Sequence, residues 1–167
     1  MSKGIDQLKD WAMHNVRLIN ILPSNENLSV DTKLIDVLEH DVDEKYFLSD
    51  ERVEQLKFND KVQKGDIKQV AQYDTETRLN SNRFRVYATD GISPTLGTMQ
   101  GGNLEPCTLV GGRIRKLTPK ETWRLQGFTD EQFYKAKNDG VSNSQLYKQA
   151  GNSVTVNVID AIARKLI

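Results

Sequence analysis

Residues 114–133 read "IRKLTPKETWRLQGFTDEQF", and this stretch decides how the rest of the chain is parsed. Thr118 stands before Pro119 and three positions ahead of Glu121. A capping threonine, a proline at the first helical position and a reciprocal glutamate together mark a helix start. Gly127 stops that helix. Thr129, Asp130, Glu131 and Gln132 repeat the logic at once, with Lys135 and Lys137 near the far end and Gly140 beyond it. Two short helices joined by a glycine turn are predicted.

Working outward toward the C-terminus, Ser142 or Asn143 can cap a third short helix ending at Gly151. Val154, Val158, Ile162 and Leu166 then recur every four residues, with Ile159 and Ala163 beside them. That pattern predicts an amphipathic last helix with one buried stripe, although its β-branched start also suits extended backbone. Toward the N-terminus, "RFRVYATDGISPTLGT" (83–98) reads as two short strands around the turn Asp90-Gly91. "GTMQGGNLEP" (97–106) follows as a loop whose glycines let backbone approach a partner closely. Residues 59–82 are polar and aperiodic, a loop with room for a strand at "DIKQVAQY". Short helices open at Asp31 or Thr32 and at Ser49, and "NVRLINIL" (15–22) has the content of a short strand closed by Pro23. The fold class these elements suggest is α/β, more nearly an α+β-like body with irregular central β structure.

Composition narrows the function. The chain has 167 residues, is 37% hydrophobic and has a negative mean hydropathy, which indicates a thin core for its size. No apolar run is long enough to span a membrane, the start lacks the features of a signal peptide, and Cys107 is the one cysteine. A disulfide framework is excluded, two histidines leave little for a metal site, and the expected compartment is a reducing cytoplasm. Zero net charge hides a split: residues 1–60 hold 7 Lys/Arg against 13 Asp/Glu, and residues 61–167 hold 16 against 10. A basic second part permits contact with nucleic acid by one face, but ordinary solvated surface explains the split equally well.

The stretch at 114–133 closely resembles the ninth motif of the DNA cytosine-5 methyltransferases, R-x-L-T-P-R-E-x-x-R-L-Q-G-F-P-D. Arg115, Thr118, Pro119, Glu121, Arg124 and Gly127 fall on its positions, while Lys120 and Thr129 depart mildly. "SQLYKQAGNSVTVNVIDAIARKL" resembles the tenth motif at the expected spacing, and "RVYATDGISPTLGTMQGG" resembles the target-recognition region. The resemblance covers roughly residues 34–167. It implies a divergent segment over 1–30, a small, mostly irregular β target-recognition region over 31–117, and a helical region over 118–167. In the family such helices pack on a Rossmann-like S-adenosylmethionine domain.

The resemblance also implies roles. Asn152 and Ser153 would hydrogen-bond the polar end of S-adenosylmethionine, Gly151 would permit close approach, and Val154 would pack beneath. The purely structural alternative is that Gly151 ends one helix and Ser153 caps the next. Arg78, Asn82, Arg83 and Arg85 on the first recognition loop, with Thr98, Gln100 and Asn103 on the second, become the candidates to touch double-stranded DNA. Arginine suits guanine and Asn or Gln suits adenine, yet phosphate contact is the commoner use of any one of them.

The family's F-x-G-x-G and Glu-Asn-Val are not found in this sequence. Pro106-Cys107 lies between the recognition region and the ninth motif, the wrong place for the family's nucleophile, so no catalytic residue is assigned. The expectation is a non-catalytic recognition part, inactive alone. Its partner would be a catalytic methyltransferase chain supplying the cofactor pocket and nucleophile, with S-adenosylmethionine bound only in the pair and no metal. The alternative is a truncated, catalytically dead homologue repurposed as a DNA- or protein-binding module, such as a mobile-element inhibitor of a nuclease or other defence enzyme.

Overall fold

A computed structural model of the chain describes residues 3–15, 32–64, 66–73, 85–99 and 104–166. The chain divides into two compact units, residues 29–156 and residues 1–28 together with 157–167.

The larger unit holds a five-stranded sheet in the order β1-β2-β3-β4-β5. β1 (Leu56–Lys64) and β2 (Ile67–Tyr73) form an antiparallel pair that runs from Leu56↔Tyr73 to Lys64↔Ile67, with an irregularity between Phe58 and Val62. The sequence predicts loop through 59–64; the structure makes it an edge strand. Edge strands are held by backbone pairing, so polar, aperiodic residues suffice where one partner strand supplies the hydrogen bonds. β3 (Val86–Tyr87) is antiparallel to β2 and parallel to β4 (Cys107–Val110). β4 turns into β5 (Arg113–Lys116) through Gly111 (φ 57°) and Gly112 (φ 78°). Two successive left-handed residues match the twist of a tight hairpin, and glycine adopts them without a Cβ penalty.

The second strand expected after Asp90-Gly91 does not form. The turn is there, but its backbone is used elsewhere: Gly91 O accepts from Leu34 N at 2.8 Å, Thr89 O from Ile35 N at 2.9 Å, and Ile92 N donates to Asp66 O at 3.0 Å. Pro94 then has no N–H to offer a ladder. Residues 92–99 instead run irregularly.

Two 3-10 turns, Leu34–Val37 and Glu44–Tyr46, and a short helix α2 (Asp50–Glu54) lead into the sheet. The predicted helices follow it as α3 (Pro119–Leu125), α4 (Asp130–Asn138) and α5 (Asn143–Asn152). Both capping boxes form, and Gly127 and Gly140 take φ of 84° and 87° at the stops. α5 runs one residue past the expected end, so Gly151 lies inside its last turn. Among the described residues the core is three small clusters, one on the sheet around Ala71, Val86 and Cys107, one around Leu34, Tyr87 and Leu117, and one around Trp123, Phe133 and Leu146.

The smaller unit contains α1 (Lys3–Asn15) and most of α6 (Val156–Leu166). The strand expected over 15–22 lies outside the described residues beyond Asn15, which ends α1. The stripe of α6 was expected to be buried; Val158, Ile159 and Leu166 are instead 49%, 51% and 55% exposed. Periodicity identifies an apolar face but carries no information about what covers it. Among the described residues, no helix is long and apolar enough to cross a membrane.

Candidate nucleic-acid interface

The ninth-motif residues converge on one carboxylate. Glu121 is fully buried, and its two oxygens take four donors. Arg115 Nη2 reaches Oε1 at 2.7 Å and Nη1 reaches Oε2 at 2.9 Å, while Glu39 N and Thr118 N donate at 2.8 and 2.7 Å. Every acceptor direction of the ion is used, which is the condition under which a buried charge is tolerated. Thr118 Oγ1 in turn donates to Glu39 Oε2 at 2.5 Å, and Lys120 Nζ pairs with Glu39 Oε1 at 2.6 Å. Arg124 grips Asp130 through Nε and Nη2 at 2.6 and 2.5 Å and donates Nη1 to Val37 O at 3.1 Å. Those bonds hold the Asp130 carboxyl below the ordinary range.

Sequence reasoning assigned no role to Gln126 or Glu39, and both are structural centres. Gln126 donates Nε2 to Ala150 O at 2.9 Å, accepts the Thr155 hydroxyl on Oε1 at 2.9 Å, and takes Val156 N on its carbonyl at 2.8 Å. Trp123 Nε1 donates to Leu146 O at 2.9 Å, and the Tyr147 hydroxyl donates to Leu117 O at 2.5 Å. The ninth-motif helix thereby fixes the tenth-motif turn. The signal for Gln126 lay in the motif itself; Glu39 arrives from too far along the chain for any local pattern to show it.

Between β2, β3 and residues 94–99, 104 and 106 lies a cleft of about 630 Å³, walled by Gln69, Arg85, Tyr87, Gly97, Thr98 and their neighbours. Arg85 is half-buried; its Nε is shut off from solvent and has no hydrogen-bond partner among the described residues. Burial pushes the Tyr87 phenol above its usual pKa, against the pull of the Arg85 guanidinium beside it. Met99 closes the wall in a left-handed conformation (φ 46°) with its side chain 3% exposed, a backbone state that costs a methionine energy and is held by the surrounding packing. Of the DNA candidates, Arg85 and Thr98 thus share one cleft. Arg78, Asn82, Arg83, Gln100 and Asn103 lie outside the described residues.

The cofactor candidates are adjacent but not alike. Asn152 is exposed on the last turn of α5, and Val154 is 58% exposed, so an amide and an apolar side chain are both accessible to a ligand. The Ser153 hydroxyl turns back to Ala150 O at 2.9 Å and does not cap α6, which starts at Val156. Gly151 faces the protein's own segment at Gly97 and Thr98. Asn152 and Val154 are open to solvent, whereas Gly151 is closed off by the protein's own backbone.

Cys107 is fully buried in the sheet, and burial pushes its thiol up to about 12, so it carries no thiolate at neutral pH.

A family model described as C-5 cytosine-specific DNA methylase matches residues 4–167. The chain belongs to that family. M.SPBetaI, an orphan methyltransferase of Bacillus phage SPbeta, is 36% identical over 219 residues that cover 100% of this chain and 48% of that protein. M.SPRI, an orphan methyltransferase of Bacillus phage SPR, is 62% identical over 93 residues, 55% of this chain and 20% of its own length. M2.ScrFI, a type II methyltransferase of Lactococcus lactis subsp. cremoris, is 33% identical over 172 residues, 98% of this chain and 42% of that protein. The chain spans about half the length of the relatives it matches end to end. Among solved structures, the S. pombe Dnmt2 methyltransferase matches 97% of this chain and 46% of its own with a TM-score of 0.55 at 14% identity, which establishes a shared fold.

Proposed function

We propose that this chain is the DNA-recognition part of a cytosine-5 DNA methyltransferase and works with another polypeptide that supplies the S-adenosylmethionine pocket and the nucleophilic cysteine. One observation carries the recognition role: Arg85 holds, at a cleft, a solvent-excluded N–H that is unpartnered among the described residues. A buried donor on a charged group is costly without an acceptor. The edge of a guanine, with two acceptors spaced for a guanidinium, or a phosphate oxygen, supplies one. Gln69, Tyr87 and Thr98 add donors and acceptors around it. Cys107 cannot serve as nucleophile where it is buried, so that group comes from outside the described site. When bound, S-adenosylmethionine supplies the methyl group; Asn152 and Val154 would hold its polar end and flank.

The test uses the full chain, tagged and isolated with whatever accompanies it, and a labelled pool of random duplex DNA. Binding that weakens with salt is expected, with Arg85→Ala reducing affinity about tenfold, the scale of one bidentate base contact. An unchanged affinity in that variant overturns the role of Arg85. Accompanying protein that carries F-x-G-x-G and Pro-Cys supports the two-chain assembly, and methylation by this chain unaided overturns it.

A further inference from the structure

Gly151 has no room for a side chain. A Cβ placed on it would lie 2.0 Å from the Gly97 carbonyl oxygen, 2.5 Å from the Gly97 carbonyl carbon and 2.7 Å from Thr98 Cα. All three are backbone atoms, so none can rotate out of the way. The conformation of Gly151 is ordinary, since it is not among the positive-φ residues, and within a helix alanine is normally preferred to glycine. The bare Cα is therefore required by the approach of another segment, not by its own dihedral angles. The requirement is one-sided. At Gly97 a Cβ would meet nothing within 4 Å, and the backbone there is also ordinary.

Gly97 and Thr98 are part of the wall of the Arg85 cleft. On the helix side, the turn cannot retreat: Ala150 is fully buried, and its carbonyl is held by Gln126 Nε2 and by Ser153 Oγ, both at 2.9 Å. Any atom added at Gly151 must therefore displace the 97–98 backbone. To reach a tolerable contact it must move about 1 Å, beyond the roughly 0.5 Å within which a binding constellation has to be held.

We infer that Gly151 is a positioning residue for DNA recognition. Its missing side chain lets the last turn of α5 set the position of the cleft wall at Gly97–Thr98, and with it the spacing between that wall and Arg85. The inference rests on the reading of the cleft as a DNA site. It gives Gly151 a role toward the protein's own recognition segment, independent of any part this turn plays toward a cofactor.

Gly151→Ala and Gln149→Ala, the latter exposed on the same helix, separate this role from a general effect on folding. Two readouts are needed on the full chain: affinity for a random duplex pool, and hydrogen exchange resolved by segment. Gly151→Ala should weaken DNA binding about tenfold, the equivalent of a modest overpacking strain, and speed exchange within residues 95–99. Gln149→Ala should do neither. Wild-type affinity in Gly151→Ala overturns the inference. So does a loss of affinity accompanied by faster exchange throughout α3, α4 and α5, because that pattern marks a merely structural glycine. Should the wild-type chain retain no duplex at all, the DNA reading itself fails. Exchange then decides the contact: unchanged protection over 95–99 in Gly151→Ala removes the positioning role.

Discussion

Glu121 has four donors and is closed off from solvent, and it separates interactions that matter in this chain from those that do not. Removing the carboxylate leaves the Arg115 guanidinium, 2% exposed, without its counter-ion, together with the Glu39 and Thr118 amides that pointed at it. Glu121→Ala should therefore cost about 3–5 kcal/mol in urea unfolding, the usual penalty for breaking a buried ion pair from one side. Arg113 and Glu44 also pair, but in open solvent, and losing that contact should be nearly silent. Asp130 lies between these extremes. The Arg124 bonds depress its pKa, so its contribution is fully present above the unfolded carboxylate pKa and is lost as pH falls through the lower, folded value. With the carboxylate 43% exposed, solvent screening brings the effect down to about 0.5 kcal/mol. Unfolding curves of wild type and Asp130→Asn should differ by that amount at neutral pH and converge in acid; a constant gap would show that the lost contact is not ionic.

At the scale of elements, local chemistry was legible and pairing was not. Thr118 with Glu121 and Thr129 with Gln132 mark helix starts because each cap satisfies its own first turn. The β4–β5 hairpin has an equally local signal in Gly111-Gly112 between "CTLV" and "RIRK", overlapped by the start of the helical motif over the same residues. The parallel pairing of β3 with β4 has no such signal, because the strands meet across 21 residues with nothing between them to specify register. Arg85 and Thr98 were both sequence candidates, but that they line one cleft depends on where an irregular 92–99 segment comes to rest. Gln126 shows the same limit from the other side: its place in a motif was visible, its partners were not. Gln126→Ala removes two hydrogen bonds from the α5–α6 connection and should cost about 1–2 kcal/mol. Faster amide exchange over residues 153–156, with the α3 cap unaffected, is the expected signature.

The whole molecule is a larger unit with three small hydrophobic clusters and a smaller one whose helices leave much of their apolar surface wet. Leu8 and Trp11 on α1 are 66% and 58% exposed, comparable to the stripe of α6. Among the described residues of these two helices, hydrophobic burial is thus incomplete. The larger unit adds to its hydrophobic clusters polar contacts between distant segments, and these constrain how it can assemble. The Glu39 amide lies 82 residues before the carboxylate it serves, and the Val37 carbonyl 87 residues before Arg124. Helix caps close within microseconds, whereas contacts at such separations wait on a slow search through the chain. Until the segment around residues 37–39 docks, Glu121 is a buried ion with part of its shell missing, and every intermediate that hides it early is penalised. On a ribosome, residues 37–39 emerge first and wait for the helix that completes them.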